Sequence, residues 1–221
     1  MSRLGPDAFP TWFGPPGIKA NQKYNFKKDG FNLFTLEVNE HTGTHVDAPL
    51  HFSAGGQAVN EIPVENLMGP LCVIDIREKA ASNNEAQVTP DDVKAWVGKH
   101  GEIPKGACVA MNSGWQAHVS SPKFRGADAK GVQHYPGFHV EAAKMMMEET
   151  GAIAMAVDTL SLDIGSSTTF DTHYAWLPTN RYGIENLANL DKVPAAGATL
   201  VVGAPTHRGG SGGPARIMAL V

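Results

Sequence analysis

The segment His41-Thr42-Gly43-Thr44-His45-Val46-Asp47-Ala48-Pro49-Leu50-His51 places three imidazoles and one carboxylate within eleven residues. Imidazole nitrogen and carboxylate oxygen are the common ligands of zinc- and manganese-type divalent ions. The four side chains occupy odd positions, so a straight strand would turn them all to one face. That strand would also spread His41 to His51 over about 33 Å, too far for one ion. A helix would stack His41 on His45 at i, i+4. Against a helix stand Gly43, the β-branched Thr42, Thr44 and Val46, and Pro49. What remains is a short extended piece with one bend at Gly43 and another near Pro49, which gathers the ligands around a point. The segment therefore reads as a divalent-metal site on a kinked strand.

Outward from this segment, Phe34, Leu36 and Val38 alternate with Thr35, Glu37 and Asn39, a period of two that predicts a half-buried strand leading into the histidines. Downstream, residues 70–76 (PLCVIDI), 107–111 (ACVAM), 151–157 (GAIAMAV) and 199–203 (TLVVG) read as strands, and 217–221 is a last apolar run. Thr89 as N-cap, Pro90 at the first helical position and Asp91 and Asp92 in the first turn open a helix. Val93, Trp96 and Val97 form its apolar stripe, and Gly101 ends it. Residues 140–150 form a second helix closed by Gly151, with Met145 to Met147 as core filler. Residues 116–138 are polar and broken by glycine and proline, and read as a long surface loop. Strands alternating with helices through the middle of the chain predict an α/β fold, in one domain spanning 1–221. The glycine-rich 209–214 reads as a loop. It lacks the lysine of a phosphate-binding loop and the helical context of a dinucleotide site, so no nucleotide is expected.

Composition bounds the partners. The 221 residues are 42 % hydrophobic with a mean hydropathy of −0.20, enough for an ordinary globular core. The 18 basic and 22 acidic side chains leave a net charge of −4, which weighs against nucleic acid and anionic membranes. No apolar run reaches the length of a bilayer span. Residues 1–16 lack the apolar core of a signal peptide, so a cytoplasmic location is expected, with a leader cleaved ahead of Met1 left open. Cys72 and Cys108 sit in apolar strands and are expected to be buried free thiols.

Further site candidates lie downstream. Asp158-Thr159-Leu160-Ser161-Leu162-Asp163 follows a buried strand, where α/β sheets gather functional groups. His173 and Glu185 come next, twelve apart. His100, His118, His134, His139 and His207 have no comparable surroundings and are expected at the surface or in satisfied polar contacts.

HTGTHVDAPLHF, VDTLSLD and the His173/Glu185 pair resemble the cyclase family of metal-dependent hydrolases, whose members include bacterial kynurenine formamidase, isatin hydrolase and trans-dienelactone hydrolase. The resemblance runs from about Leu4 to the C-terminus. It implies a compact α/β domain built around a β-barrel-like mixed sheet flanked by helices, of the swivelling β/β/α kind. By the same resemblance His41, His45 and Asp47 hold a first metal and His51 is the acid/base. In the formamidase type, the residues matching His173 and Glu185 hold a second metal, bridged by Asp47 and Glu185. The isatin hydrolase type carries one manganese. The resemblance also implies a homodimer or homotetramer with N-terminal strands exchanged between subunits. Two features lean to the isatin hydrolase side: His173-Tyr174 in place of a histidine pair, and the segments WLPTNRYGIENLANLDKVP and GAPTHRGGSGGP.

The expected chemistry is hydrolysis of a small aromatic or cyclic amide, isatin-like, or of an arylformamide. A lactone is the alternative substrate, and a non-catalytic metal-binding protein is the alternative class. The cofactor is Mn2+ or Zn2+, one or two per chain. Such an ion lowers the pKa of bound water from about 15.7 to about 7. His51, six residues past His45, is placed to take a proton from water and return it to the leaving nitrogen. Spacing alone also allows His51 as a fourth ligand. A further imidazole beside a His-His-Asp set favours catalysis over storage. Trp12, Phe52, Trp115 and Trp176, with Phe13, are the candidates to wall a flat ring.

Overall fold

The apolar runs pair into a single large sheet. A computed structural model describes Thr11 and residues 17–221. In chain order the elements are β1 (Ile18–Tyr24), α1 (Phe26–Asp29), β2 (Leu33–Val38), β3 (His45–Asp47), β4 (Met68–Asp75), α2 (Arg77–Ser82), β5 (Gln87–Val88), α3 (Pro90–His100), β6 (Cys108–Asn112), β7 (Gly137–Phe138), α4 (Val140–Glu149), β8 (Ala154–Val157), α5 (Asp171–Trp176), β9 (Tyr182–Glu185), β10 (Ala198–Gly203), β11 (Gly212–Pro214) and β12 (Arg216–Leu220). The eight-stranded sheet runs β11-β3-β9-β8-β6-β4-β10-β12. Its centre, β4, β6, β8 and β9, is parallel, as helical crossovers require. β3, β10, β11 and β12 pair antiparallel.

The two edge strands, β11 and β12, are separated in the chain only by Ala215. Its N–H donates to the Thr44 carbonyl at 2.9 Å. One nearly continuous segment thus pairs with β3 through β11 and with β10 through β12, so the sheet curls into a nearly closed barrel. This is the α/β barrel-like sheet that the family resemblance implies.

Strand alternation divides the core. Cys72 and Ile74 face α3 and α4 with Val93, Phe138 and Met146, while Leu71 and Val73 face the opposite side with Val46, Ile184 and Leu200. Cys72 and Cys108 fall in different clusters and are buried free thiols. α3 starts at Thr89 and stops at Gly101 (φ 90°), as its sequence predicts. α4 closes one residue earlier than expected, at an extended Thr150 whose hydroxyl donates to the Met146 carbonyl.

Three expectations need correction. Residues 116–138 are not simply a surface loop. They contain two 3-10 turns and are pinned by a buried cluster of Trp115, Phe124, Tyr135 and Leu160. The glycine-rich tail is not all loop, because Gly212–Pro214 forms strand β11 against β3. Third, β2 is a strand but is not half-buried. Among the described residues it pairs only with β1, and Phe34, Leu36 and Val38 are 51 %, 63 % and 40 % exposed. The alternation is real, but among the described residues its apolar face is left exposed. Among the described residues no helix is long and apolar enough to cross a membrane.

The N-terminus of α3 offers a direct test of the local physics. Asp92 accepts from the Thr89 N–H and hydroxyl and from Lys79 Nζ at 2.6 Å. Burial pushes its carboxyl up, but these hydrogen bonds outweigh burial and hold it below 3.8. Asp92 therefore stabilises the fold above that value, and the contribution is lost as pH falls through its folded pKa. Thr89→Ala should cost about 1 kcal/mol, a fall of about 2–4 °C in the melting midpoint. Asp92→Asn should melt below the parent at neutral pH, and the difference should shrink as pH falls through the folded pKa of Asp92, as followed by circular dichroism.

Candidate metal centre

β3 is the centre of the site. It pairs with β9 on one side, His45 opposite Glu185 and Asp47 opposite Gly183. On the other side it pairs with β11, placing Asp47 opposite Gly212. Val46 and Ile184 turn to the core, so His45, Asp47 and Glu185 share the other face. The two predicted bends are present. Gly43 adopts φ 61°, and a 3-10 turn over Pro49–Phe52 brings His51 back onto the segment. The His51 ring stacks on His41 with centroids 3.8 Å apart.

His45 Nδ1 lies 2.8 Å from the Gly43 carbonyl, which fixes its proton there. Nε2 is left facing Asp47 Oδ1 at 3.2 Å and Glu185 Oε2 at 3.4 Å. His173 follows the same rule. Its Nδ1 lies 2.6 Å from Asp163 Oδ2, and its Nε2 faces Glu185 Oε1 at 3.3 Å and Asp47 Oδ2 at 3.7 Å. Asp163 is itself held by the N–H groups of Thr172 and His173. His41 Nδ1 lies 2.7 Å from Asp47 Oδ1. Each histidine thus turns one nitrogen to the acid pair and fastens the other to the protein, as metal-binding histidines do.

Two buried atoms at the centre, His45 Nε2 and Asp47 Oδ2, find no hydrogen-bond partner among the described residues. A buried acceptor without a donor costs about 1–3 kcal/mol, and a cation between the two would satisfy both. His41, Asp47 and His51 form one group with metal-ligand spacing, and His45, Asp47 and Glu185 form another. The donor set of imidazole nitrogens and carboxylate oxygens suits zinc or manganese. These residues fit a divalent ion.

The electrostatics agree. Burial pushes the Asp47 carboxyl up, but the charge of His45 and contacts from His173 and His41 hold it well below 3.8. Glu185, buried beside that carboxylate, is raised. Burial opposes charge on His45, yet Asp47 and Glu185 lift it to about 9. His173 is likewise raised well above 6.5 against burial, through Asp163, Asp47 and Glu185. The cluster demands positive charge. His51 goes the other way: burial drives it down to about 4, Asp47 resists, and the imidazoles of His41, His173 and His45 add to the fall. The surroundings of His51 thus favour its unprotonated ring.

The structure gathers His41, His45, Asp47, His51, His173 and Glu185 in one place. Of the candidate ring walls, Phe52 is there, 4.6 Å from the His173 ring. Trp12 and Phe13 lie outside the described residues. Trp115 and Trp176 are corrected to core residues. Both are enclosed, and their indole N–H groups donate to the Phe124 and Tyr182 carbonyls. Asp158 holds the 113–115 turn through Ser113 and Trp115 rather than joining the cluster.

Sequence reasoning missed Phe170 and Tyr174, whose rings lie 5.6 and 4.9 Å from Phe52. Phe170 is left-handed at φ 53°, ψ 43°, a conformation costing about 1–3 kcal/mol that concentrates at functional sites. Nothing in the residue order announces it. Also missed were Glu40, His207 and Ser211, which form a chain of contacts behind His41.

Residues 3–164 match the Cyclase family, described as "Putative cyclase". An isatin hydrolase of Roseibium aggregatum is 30 % identical over 217 residues, covering 93 % of this chain and 82 % of the relative. A kynurenine formamidase of Salinibacter ruber is 30 % identical over 218 residues, covering 98 % and 93 %. The structure of isatin hydrolase A from Ralstonia solanacearum superposes with a TM-score of 0.90 at 32 % identity, covering all of this chain and 89 % of that one.

Gly183 tests the packing around Asp47. A Cβ there would meet the Asp47 carboxylate at 3.2 Å and Leu162 at 3.0 Å. Gly183→Ala should displace the carboxylate and weaken Mn2+ or Zn2+ binding by about tenfold or more in calorimetric titration.

Proposed function

This chain belongs to the Cyclase family, and from that premise we propose that it is a metal-dependent hydrolase that opens a cyclic amide of the isatin type or cleaves an arylformamide. The observation that carries this reading is the pair of unsatisfied buried atoms, His45 Nε2 and Asp47 Oδ2, with the His51 ring stacked on His41 beside them. His41, His45 and Asp47 would hold a first Mn2+ or Zn2+, with His173 and Glu185 available to a second. A divalent ion bound there supplies an activated water and charge stabilisation for the tetrahedral oxyanion.

The chain's own groups do the rest. His51, whose surroundings favour the unprotonated ring, accepts a proton from water and delivers it to the leaving nitrogen. Asp163 keeps the His173 ring oriented toward Asp47 and Glu185. Phe52, Phe170 and Tyr174 offer aromatic faces to a flat ring beside His51. A second reading, formamidase chemistry with two ions, is favoured by Glu185 standing with His45 and Asp47 in one ligand group. Lactone hydrolysis uses the same groups with oxygen leaving.

The test is incubation of metal-loaded protein with isatin, N-formylkynurenine and a dienelactone, with and without chelator, followed by absorbance. The reading expects chelator-sensitive loss of isatin or of the formamide. Loss of none of the three would return the protein to the non-catalytic class. Metal content by mass spectrometry separates one ion per chain from two. His51→Ala should keep its metal while kcat falls by about a hundredfold or more. If metal and activity disappear together, His51 is a ligand instead.

We also infer a homo-oligomer. A two-stranded hairpin alone is marginally stable, yet β1–β2 carries Phe34, Leu36 and Val38 exposed. Such an apolar face marks an interface, and a second copy is its proposed cover. Leu36→Asp should convert a dimer or tetramer to monomer in analytical ultracentrifugation. A parent that sediments as a monomer would refute this.

A further inference from the structure

Behind the metal cluster, His41 is fastened by a set of contacts that the reaction does not use. Its Nε2 lies 3.1 Å from Ser211 Oγ. Ser211 Oγ donates to Glu40 Oε2 at 2.6 Å, and the Ser211 N–H reaches the same oxygen at 3.2 Å. Glu40 Oε1 meets His207 Nε2 at 2.6 Å. We propose that Glu40 and Ser211 are a positioning pair that fixes the tautomer of His41, so that His41 presents Nδ1, not Nε2, to the cation.

An ionised carboxylate only accepts, so the single hydroxyl proton of Ser211 is committed to Glu40. Ser211 Oγ then offers only lone pairs toward His41, and Nε2 must carry the proton there. Nδ1 is left pointing at Asp47 Oδ1, 2.7 Å away. A neutral His41 in this tautomer would set two acceptors face to face. That arrangement is stable only around a positive charge. His45 and His173 are fastened the opposite way, through Nδ1, and turn Nε2 inward. Ser211 therefore imposes a different handle on His41 from those of its two partners.

The glycines around Ser211 show that this contact is built in. A Cβ on Gly212 would lie 2.8 Å from His41 Cε1 and 2.3 Å from the Val46 carbonyl. A Cβ on Gly210 would lie 2.1 Å from His207 Nε2 and 2.6 Å from Glu40 Oε1. Only a backbone bare on both sides lets the serine reach between the acid and the ring. The Gly-Gly-Ser-Gly-Gly run, which as sequence suggests a loop, is in the fold the seat of a single hydroxyl.

This inference rests on the metal-dependent reading above, and the test separates the two. Zn2+ is the probe, because it is diamagnetic. The full chain, labelled with 15N-histidine and loaded with Zn2+, is examined by long-range proton–nitrogen correlation, with the His41 signals assigned by their loss in His41→Asn. The expected pattern is a protonated Nε2 and a metal-shifted Nδ1 for His41, and the reverse for His45. Ser211→Ala should raise the Kd for Zn2+ by about 10–100-fold, and Glu40→Ala should do the same. Ser211→Thr, which keeps the hydroxyl, should restore the parent Kd, a rescue that loss of packing alone would not give. A parent bound through His41 Nε2, or a folded Ser211→Ala with the parent Kd, overturns the proposal. Should Ser211→Ala not fold, the parent spectrum alone decides. A parent that binds no Zn2+ sinks the metal-dependent reading and this inference together.

Discussion

The constraint on which the rest depends is the burial of two carboxylates, Asp47 and Glu185, on adjacent strands with almost no access to water. Each buried charge carries a desolvation penalty of several kcal/mol, and a second like charge beside it adds repulsion. No apolar packing offsets that. Positive charge must be supplied at the same point, and the fold provides it through imidazoles whose inward nitrogens all face the acids. A divalent ion bound there would supply that charge and release protons from the imidazoles. The energetics of β3 and β9 thus favour a cation at this point.

Much of this was legible in the residue order. The parallel strands are short apolar runs, and they are buried on both faces as such runs must be. The kinked histidine segment could be deduced because only bends at Gly43 and Pro49 reconcile its ligands with one ion. The cap of α3 is a local signal, and local signals survive into the structure. What escaped was non-local. Ser211 and His41 are 170 residues apart, and no periodicity links them. Phe170 and Tyr174 belong to the aromatic wall only because α5 starts from a strained left-handed residue. The tryptophans misled because large aromatic rings fill cores as readily as they line pockets. Both Trp115 and Trp176 found carbonyl acceptors inside the protein.

The hairpin illustrates a different limit. The alternation in Phe34, Leu36 and Val38 correctly reports a strand with one apolar face. A pattern of this kind reports that a face is to be buried, not which chain buries it. Among the described residues β2 pairs only with β1, in a sheet separate from the large one. The exposed face of β2 is what the proposed second copy would cover.

The last strand pair ties architecture to chemistry. β11 is three residues long and carries two glycines, a poor strand by propensity. It persists because it does two things at once. Through Ala215 it brings the sheet's edges together, and through Gly212 it lies against Asp47 and His41 where any side chain would collide. A strand with better propensity would close the barrel but push the ligands apart. The same few atoms that complete the sheet also set the distance between His41 and Asp47. Closure of the barrel and the seating of His41 against Asp47 therefore draw on the same C-terminal strand, while β3 and β9 alone place His45 and Asp47 beside Glu185.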